Sequence, residues 1–220
     1  MPDSAASIES TLVPASPVRL SLGTKSLEAS DLLFYGLLCF AMHVVLLAGN
    51  RLLVYRNLND HIPAEFSAGY AATVYASMLV GVLVEAMFFL LGWLFICGMV
   101  VLLKGQSNSR LLFGGLLNCF WPVVASSAVA FVAYFFNLEN LSYLAISEAQ
   151  SDEQFTAAID LFFAASLYQR IAIVQNIGYG AMILLAVEII HRICQVPRWR
   201  SAISIMTYIA LLMTLSRLAG

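Results

Sequence analysis

Residues 86–103 read Ala-Met-Phe-Phe-Leu-Leu-Gly-Trp-Leu-Phe-Ile-Cys-Gly-Met-Val-Val-Leu-Leu, 18 positions without Asp, Glu, Lys or Arg, closed by Lys104. As a helix this stretch is about 27 Å long, close to the thickness of a bilayer's hydrocarbon core. It sits inside a longer run, Phe66 to Leu103, whose single charge is Glu85. Two readings fit that run: two spans hinged near Gly81, or one long span over about 75–103 whose early turns lie at or above an interface. The second is favoured, because residues 69–78, rich in Ala, Tyr and Thr, are less apolar than the Leu/Phe-rich half that follows.

Outward from this stretch the pattern repeats. Leu32–Asn50 gives 19 uncharged residues and Leu111–Leu138 gives 28, interrupted by Trp121-Pro122. Further spans are expected at about 171–190 and, shorter, at 201–216. The whole chain is 61% hydrophobic and 11% charged, where soluble domains sit near 45–50% and about 25%. Too few charges exist to clothe a water-soluble fold of 220 residues. The expected fold is all-α, a polytopic membrane bundle of about five helices over 31–220. Residues 1–30, rich in Ser and Pro, are expected to form a flexible cytoplasmic tail. The acidic segment 139–170 is expected to be an outer loop with an amphipathic helix whose apolar positions are Phe155, Ile159, Phe162 and Phe163.

Basic residues favour the cytoplasmic side of a membrane. With the N-terminus inside, five spans place seven Lys/Arg on inner segments and four (Arg51, Arg56, Arg170, Arg217) on outer ones. The expected arrangement is therefore N-terminus cytoplasmic and C-terminus outside.

The stretch from Ala86 through Phe131, "AMFFLLGWLFICGMVVLLKGQSNSRLLFGGLLNCFWPVVASSAVAF", combines a bulky span, a short Gly/Ser turn, a Leu-Leu helix start and a proline followed by small residues. With the ending "IGYGAMILLAVEIIHRICQVPRWRSAISIMTYIALLM", it resembles the Yip domain family of Ypt/Rab-interacting proteins over about 75–138 and 171–216. The eukaryotic members' long cytosolic N-terminus and Asp-Leu-Tyr-Gly-Pro motif are missing, so the resemblance is to the bacterial branch. It implies five spans, an inner-membrane location and no catalytic residues.

Side chains that could carry chemistry are few. A carboxylate at a span's centre costs about 2.5–3.5 kcal/mol on insertion scales, so Glu85 is either a partnered site or lies near an interface. His43 could hydrogen-bond a neighbouring helix through Asn118 or Glu85, and the three form a possible polar intramembrane site. Trp121, Pro122, Ser126 and Ala130 form a kinked patch in which Ser126 and Ala130 offer a small-xxx-small packing face, with Gly92, Gly178 and Gly180 available for similar approaches. Glu188 and Arg192, four apart, make an ion pair at the inner end of the fourth span. The sequence has no phosphate-binding loop, nucleophile elbow or zinc-protease motif. No cofactor, metal or nucleic acid is expected. The expected partners are the lipid bilayer and a membrane protein or a second copy of the chain. The favoured function is a non-enzymatic membrane scaffold or adaptor; the alternatives are a small channel or transporter component and, least, a membrane-embedded enzyme.

Overall fold

The computed structural model describes residues 20–22, 25–27, 29–106, 108–138 and 143–219. Most are helical. Of the tail expected over 1–30, residues 1–19 lie outside the described residues. Beyond them β1 (Leu20–Leu22) and β2 (Lys25–Leu27) pair antiparallel, with Leu20 opposite Leu27. The sequence carries the cue, alternating Leu and Ser on either side of Gly23-Thr24, a two-residue hairpin signal.

Eight helices follow among the described residues: α1 (Ala29–Asn59), α2 (Ala64–Leu102), α3 (Ser109–Asn118), α4 (Trp121–Asn137), α5 (Leu144–Ser147), α6 (Asp152–Phe163), α7 (Ser166–Cys194) and α8 (Arg198–Ala219). Among the described residues, four stretches are long and apolar enough to cross a membrane: Ser30–Asn59, Ala64–Leu102, Ser109–Asn137 and Ser166–Cys194. α8 is not one of the four; Arg198 and Arg200 stand at its start and Arg217 near its end.

The helices overshoot the apolar runs that announce them. α1 continues past Asn50 through Arg51 and Arg56 to Asn59, and α7 starts at Ser166 rather than Ile171. A helix bounded by its apolar run would leave four carbonyls at its end, or four N–H groups at its start, unpaired near lipid, so it propagates into the interface. α2 is a single unbroken helix of 39 residues, about 58 Å long, with Gly81 inside it and no hinge there. The run 111–138 is divided between α3 and α4. Pro122, at the start of α4, has no N–H, and the turn before it tightens: Cys119 N donates to Leu116 O (3.1 Å) and Phe120 N to Leu117 O (3.2 Å).

Local signals set the ends. The Asn108 side chain accepts from Leu111 N at 3.2 Å and caps α3; Ser151 does the same for α6 through Gln154 N at 3.3 Å. Gln195, at φ 54°, takes the left-handed conformation that stops α7, with Pro197 close behind. His191 Nδ1–H donates to Val196 O at 2.6 Å and secures that turn.

α3 and α4 form the most buried stretch, packed between α1 and α7, and α2 and α8 flank them. Three apolar layers hold this arrangement. One joins Leu32, Val100, Leu111, Leu112, Ile190 and Ile193 at the end where α2 finishes and α8 begins. A middle layer contains Cys39, Phe120, Val123 and Val124. The third joins Val54, Leu58, Leu138, Ile146, Phe162 and Tyr168 at the opposite end. α6 covers that opposite end. Its buried face is Ala158 and Phe162, and Phe155 stacks on Phe66 of α2 with centroids 4.8 Å apart. Phe163, at the edge of that stripe, is 40% exposed and packs edge-on against Tyr168 of α7, centroids 5.0 Å apart.

Candidate functional site

His43 and Glu85 meet at mid-length of α1 and α2. His43 is 1% exposed, and its Nε2 lies 2.7 Å from Glu85 Oε1. Two electronegative atoms this close share one proton between them. The imidazole also lies against Phe120, centroids 5.5 Å apart. His43 Nδ1 and Glu85 Oε2 are buried without a hydrogen-bond partner among the described residues. Glu85 is thus a partnered carboxylate held by a neighbouring helix.

Glu85 also borders a cavity of about 330 Å³ between α2, α7, α8 and the end of α3. Phe89, Trp93, Met182, Tyr179 and Tyr208 line it, so the carboxylate stands at the edge of a largely apolar space. Tyr208 of α8 donates its hydroxyl proton to Phe88 O, and its ring lies against Gly92, where a Cβ would stand 2.9 Å from ring carbons. The absent side chain at Gly92 is what lets α8 approach α2.

Asn118 does not join this pair. Its Nδ2 donates to Leu32 O (2.7 Å) and to Gly114 O (2.8 Å), tying α3 to the first turns of α1. The reason is the close approach of Gly36 and Gly114: a Cβ on Gly114 would stand 2.9 Å from Leu33 N, and one on Gly36 2.9 Å from Gly114 O. That contact fixes the rotation of α3 and points Asn118 away from His43. The "Phe-Gly-Gly-Leu" at 113–116 is the signal for it in the sequence.

The packing patch divides. Ser126 and Ala130 are buried, and Gly178 of α7 lies against Ser126 and Pro122, its hypothetical Cβ 2.3 Å from Ser126 Oγ and 3.0 Å from Pro122 O. Gly180 faces open space, and Trp121 is 43% exposed on the outside of the bundle. Glu188 and Arg192 pair as expected, Arg192 Nε donating to Oε1 at 2.7 Å. Arg198 from α8 joins them, its Nε 2.8 Å from Oε2, which makes the pair a clasp between α7 and α8.

The sequence did not single out Asn50 and Arg51. Arg51 Nη1 donates to Ser77 O at 2.6 Å, and its guanidinium lies over Gly81, within 3.1 Å of a hypothetical Cβ. Asn50 Nδ2 donates to Ser127 O at 3.2 Å. Their signal was an Asn-Arg step at the end of an apolar run, opposite the small residues Ser77 and Gly81 of the next span.

Compared with protein-family models, with curated proteins and with solved structures, the chain matches none of them. The fold alone defines its class: four helices of membrane-crossing length and composition make it an integral, multi-pass membrane protein. Within that class its particular marks are a His–Glu pair at mid-bundle and an outsized second helix.

Proposed function

We propose that the protein is a non-enzymatic scaffold or adaptor, Yip-like, that binds other membrane proteins or lipids from a bacterial inner membrane. α8 is its fifth span. Residues 201–216 are uncharged, Ile205 is buried between neighbours, and α8 packs along both α2 and α7. Trp199, exposed beside Arg198 and Arg200, suits an interfacial anchor. Lys104, Arg110, Arg192, Arg198 and Arg200 gather at one end of the bundle, and Glu148, Asp152, Glu153 and Asp160 at the other. That asymmetry supports a cytoplasmic N-terminus and an external C-terminus.

The His43–Glu85 contact carries the adaptor reading. It commits the intramembrane carboxylate to joining α1 and α2, and the space beside it is walled mainly by aromatic and aliphatic groups. α2 meanwhile presents Leu79, Val80, Leu83, Met87, Leu90 and Leu94 outward along much of its length, a surface for lipid or a partner helix. Crosslinking in native membranes and purification in nanodiscs test this reading. A membrane-protein partner or a second copy is expected to be captured, and a monodisperse, partner-free monomer counts against it.

A second reading, a transporter component, draws on one observation. Tyr179 beside Glu85 and Gln175 one turn earlier on α7 lead from the shared proton towards a more polar cavity. It requires a proton leak in reconstituted vesicles that Glu85→Gln abolishes. No leak in the wild type removes it.

A further inference from the structure

The second cavity, about 420 Å³, lies between α1, α2, α4 and the start of α7, at the end covered by α6. Asn50, Arg51, Tyr70, Ser77, Tyr168 and Gln175 contribute to its walls. Tyr168 is 9% exposed and Asn50 6%, yet the Tyr168 hydroxyl and Asn50 Oδ1 have no hydrogen-bond partner among the described residues. Buried polar atoms are nearly always paired, so two orphans on one cavity point to a ligand. Arg51 adds a guanidinium that, among the described residues, has no carboxylate within ion-pair distance. One of its five donors is used on Ser77 O.

The wall therefore offers a cation and, once the Tyr168 and Asn50 side chains rotate to open two atoms now sealed beside the cavity, a hydroxyl donor and an acceptor that can take only a proton donor. A phosphate ester that also carries a hydroxyl or ammonium group answers all three. Depth indicates its source. Arg51 stands eight positions along α1 from His43, about 12 Å from the mid-bundle pair, where half a hydrocarbon core is about 15 Å. At that level the phosphates available are those of lipid head groups. Leu47, Val54 and Val74 on the same cavity give the glycerol and upper acyl atoms an apolar bed.

We propose that this cavity binds the head group of a phospholipid bearing its own hydrogen-bond donor, such as phosphoglycerol or phosphoethanolamine. The inference rests on the lipid-contacting reading above. The two fail separately, because partner crosslinking reports the adaptor role and head-group retention reports this site.

The test is native mass spectrometry on the purified full chain, titrated with phosphatidylglycerol, phosphatidylethanolamine and phosphatidylcholine of matched chains, and with free glycerol 3-phosphate. Lipids with a donor are expected to be retained about tenfold better than phosphatidylcholine, one buried hydrogen bond's worth. Arg51→Gln is expected to weaken retention of all three lipids, since each carries the phosphate, although it also removes the bond to Ser77. Tyr168→Phe is the decisive variant because it deletes only an unpaired hydroxyl. It is expected to weaken retention about five- to tenfold while the lipid-free protein melts at an unchanged or higher temperature. Equal retention of all three lipids, or full retention by Tyr168→Phe, overturns the proposal. Binding of glycerol 3-phosphate without lipid overturns the head-group source.

Discussion

His43 of α1 and Glu85 of α2 stand side by side with Nε2 2.7 Å from Oε1, and the same antiparallel register brings Arg51 to Ser77. Eight positions forward on α1, from 43 to 51, match eight positions back on α2, from 85 to 77. α2 is otherwise a lightly buried helix, so these two polar contacts, together with aromatic pairs such as Phe40–Phe89 and Tyr55–Tyr70, set where it lies against α1.

The first contact is expected to behave as a coupled pair. His43→Leu leaves a carboxylate facing apolar walls, and Glu85→Leu leaves a buried imidazole without its partner. The double variant removes both needs at once, so it should be more stable than the sum of the single losses predicts. A coupling of about 1–3 kcal/mol is expected, measured by thermal or denaturant unfolding in one detergent. Strict additivity would show that the two side chains do not act together.

Gly178 and Gly180 lie two residues apart on α7 and should respond in opposite ways. Gly178→Ala places a methyl against Ser126 and the fixed carbonyl of Pro122, a cost of about 1–3 kcal/mol for overpacking. Gly180→Ala meets nothing within 4 Å and should be neutral, or stabilising by up to about 1 kcal/mol through helix propensity. Unfolding midpoints of the two variants check this, and equal loss in both would contradict the close approach of α4 and α7.

These contrasts also show what the sequence could and could not reveal. Span positions were legible because bilayer thickness imposes a length on an apolar run, and Ala86–Leu103 meets it without help from tertiary contacts. Helix ends were not, since hydrogen bonding carries α1 to Asn59 after its apolar run has stopped at Asn50. Glu85 and His43 stood out as polar groups in apolar runs, and the structure joins them. Asn118 stood out equally, but its direction depends on the rotation of α3 about its axis, which the Gly36–Gly114 approach decides. Arg51 read as a simple interfacial stop. Its inward turn to Ser77 depends on Gly81 leaving room on a helix 30 positions away in sequence.

The clasp of Glu188 with Arg192 and Arg198 is expected to matter little to stability. Arg192 and Arg198 are 44% and 67% exposed, where water and salt screen the attraction. Arg198→Gln should therefore leave the unfolding midpoint close to that of the wild type, and raising the salt concentration should shrink the remaining difference. A larger, salt-insensitive loss would mean that the start of α8 is far less solvated than its exposure indicates.

Sidedness, and whether α8 crosses, can be read with three introduced thiols. Cys39, Cys119 and Cys194 are buried and only Cys97 is partly accessible, so the native background to a membrane-impermeant maleimide should be low. Gln106, Asp152 and Arg217 are all exposed. Asp152→Cys lies on the acidic end and should label in intact cells. Gln106→Cys lies between Lys104 and Arg110 and should label only after permeabilisation, as the clustering of basic residues requires. Arg217→Cys discriminates four spans from five: reaction in intact cells means α8 has crossed. Its uncharged stretch of 16 residues is about 24 Å long, short of a full core, but Trp199 and Arg217 at its ends can extend its reach to the two interfaces. If Arg217→Cys labels only with Gln106→Cys, α8 re-enters without crossing, and both chain ends lie on one side of the membrane.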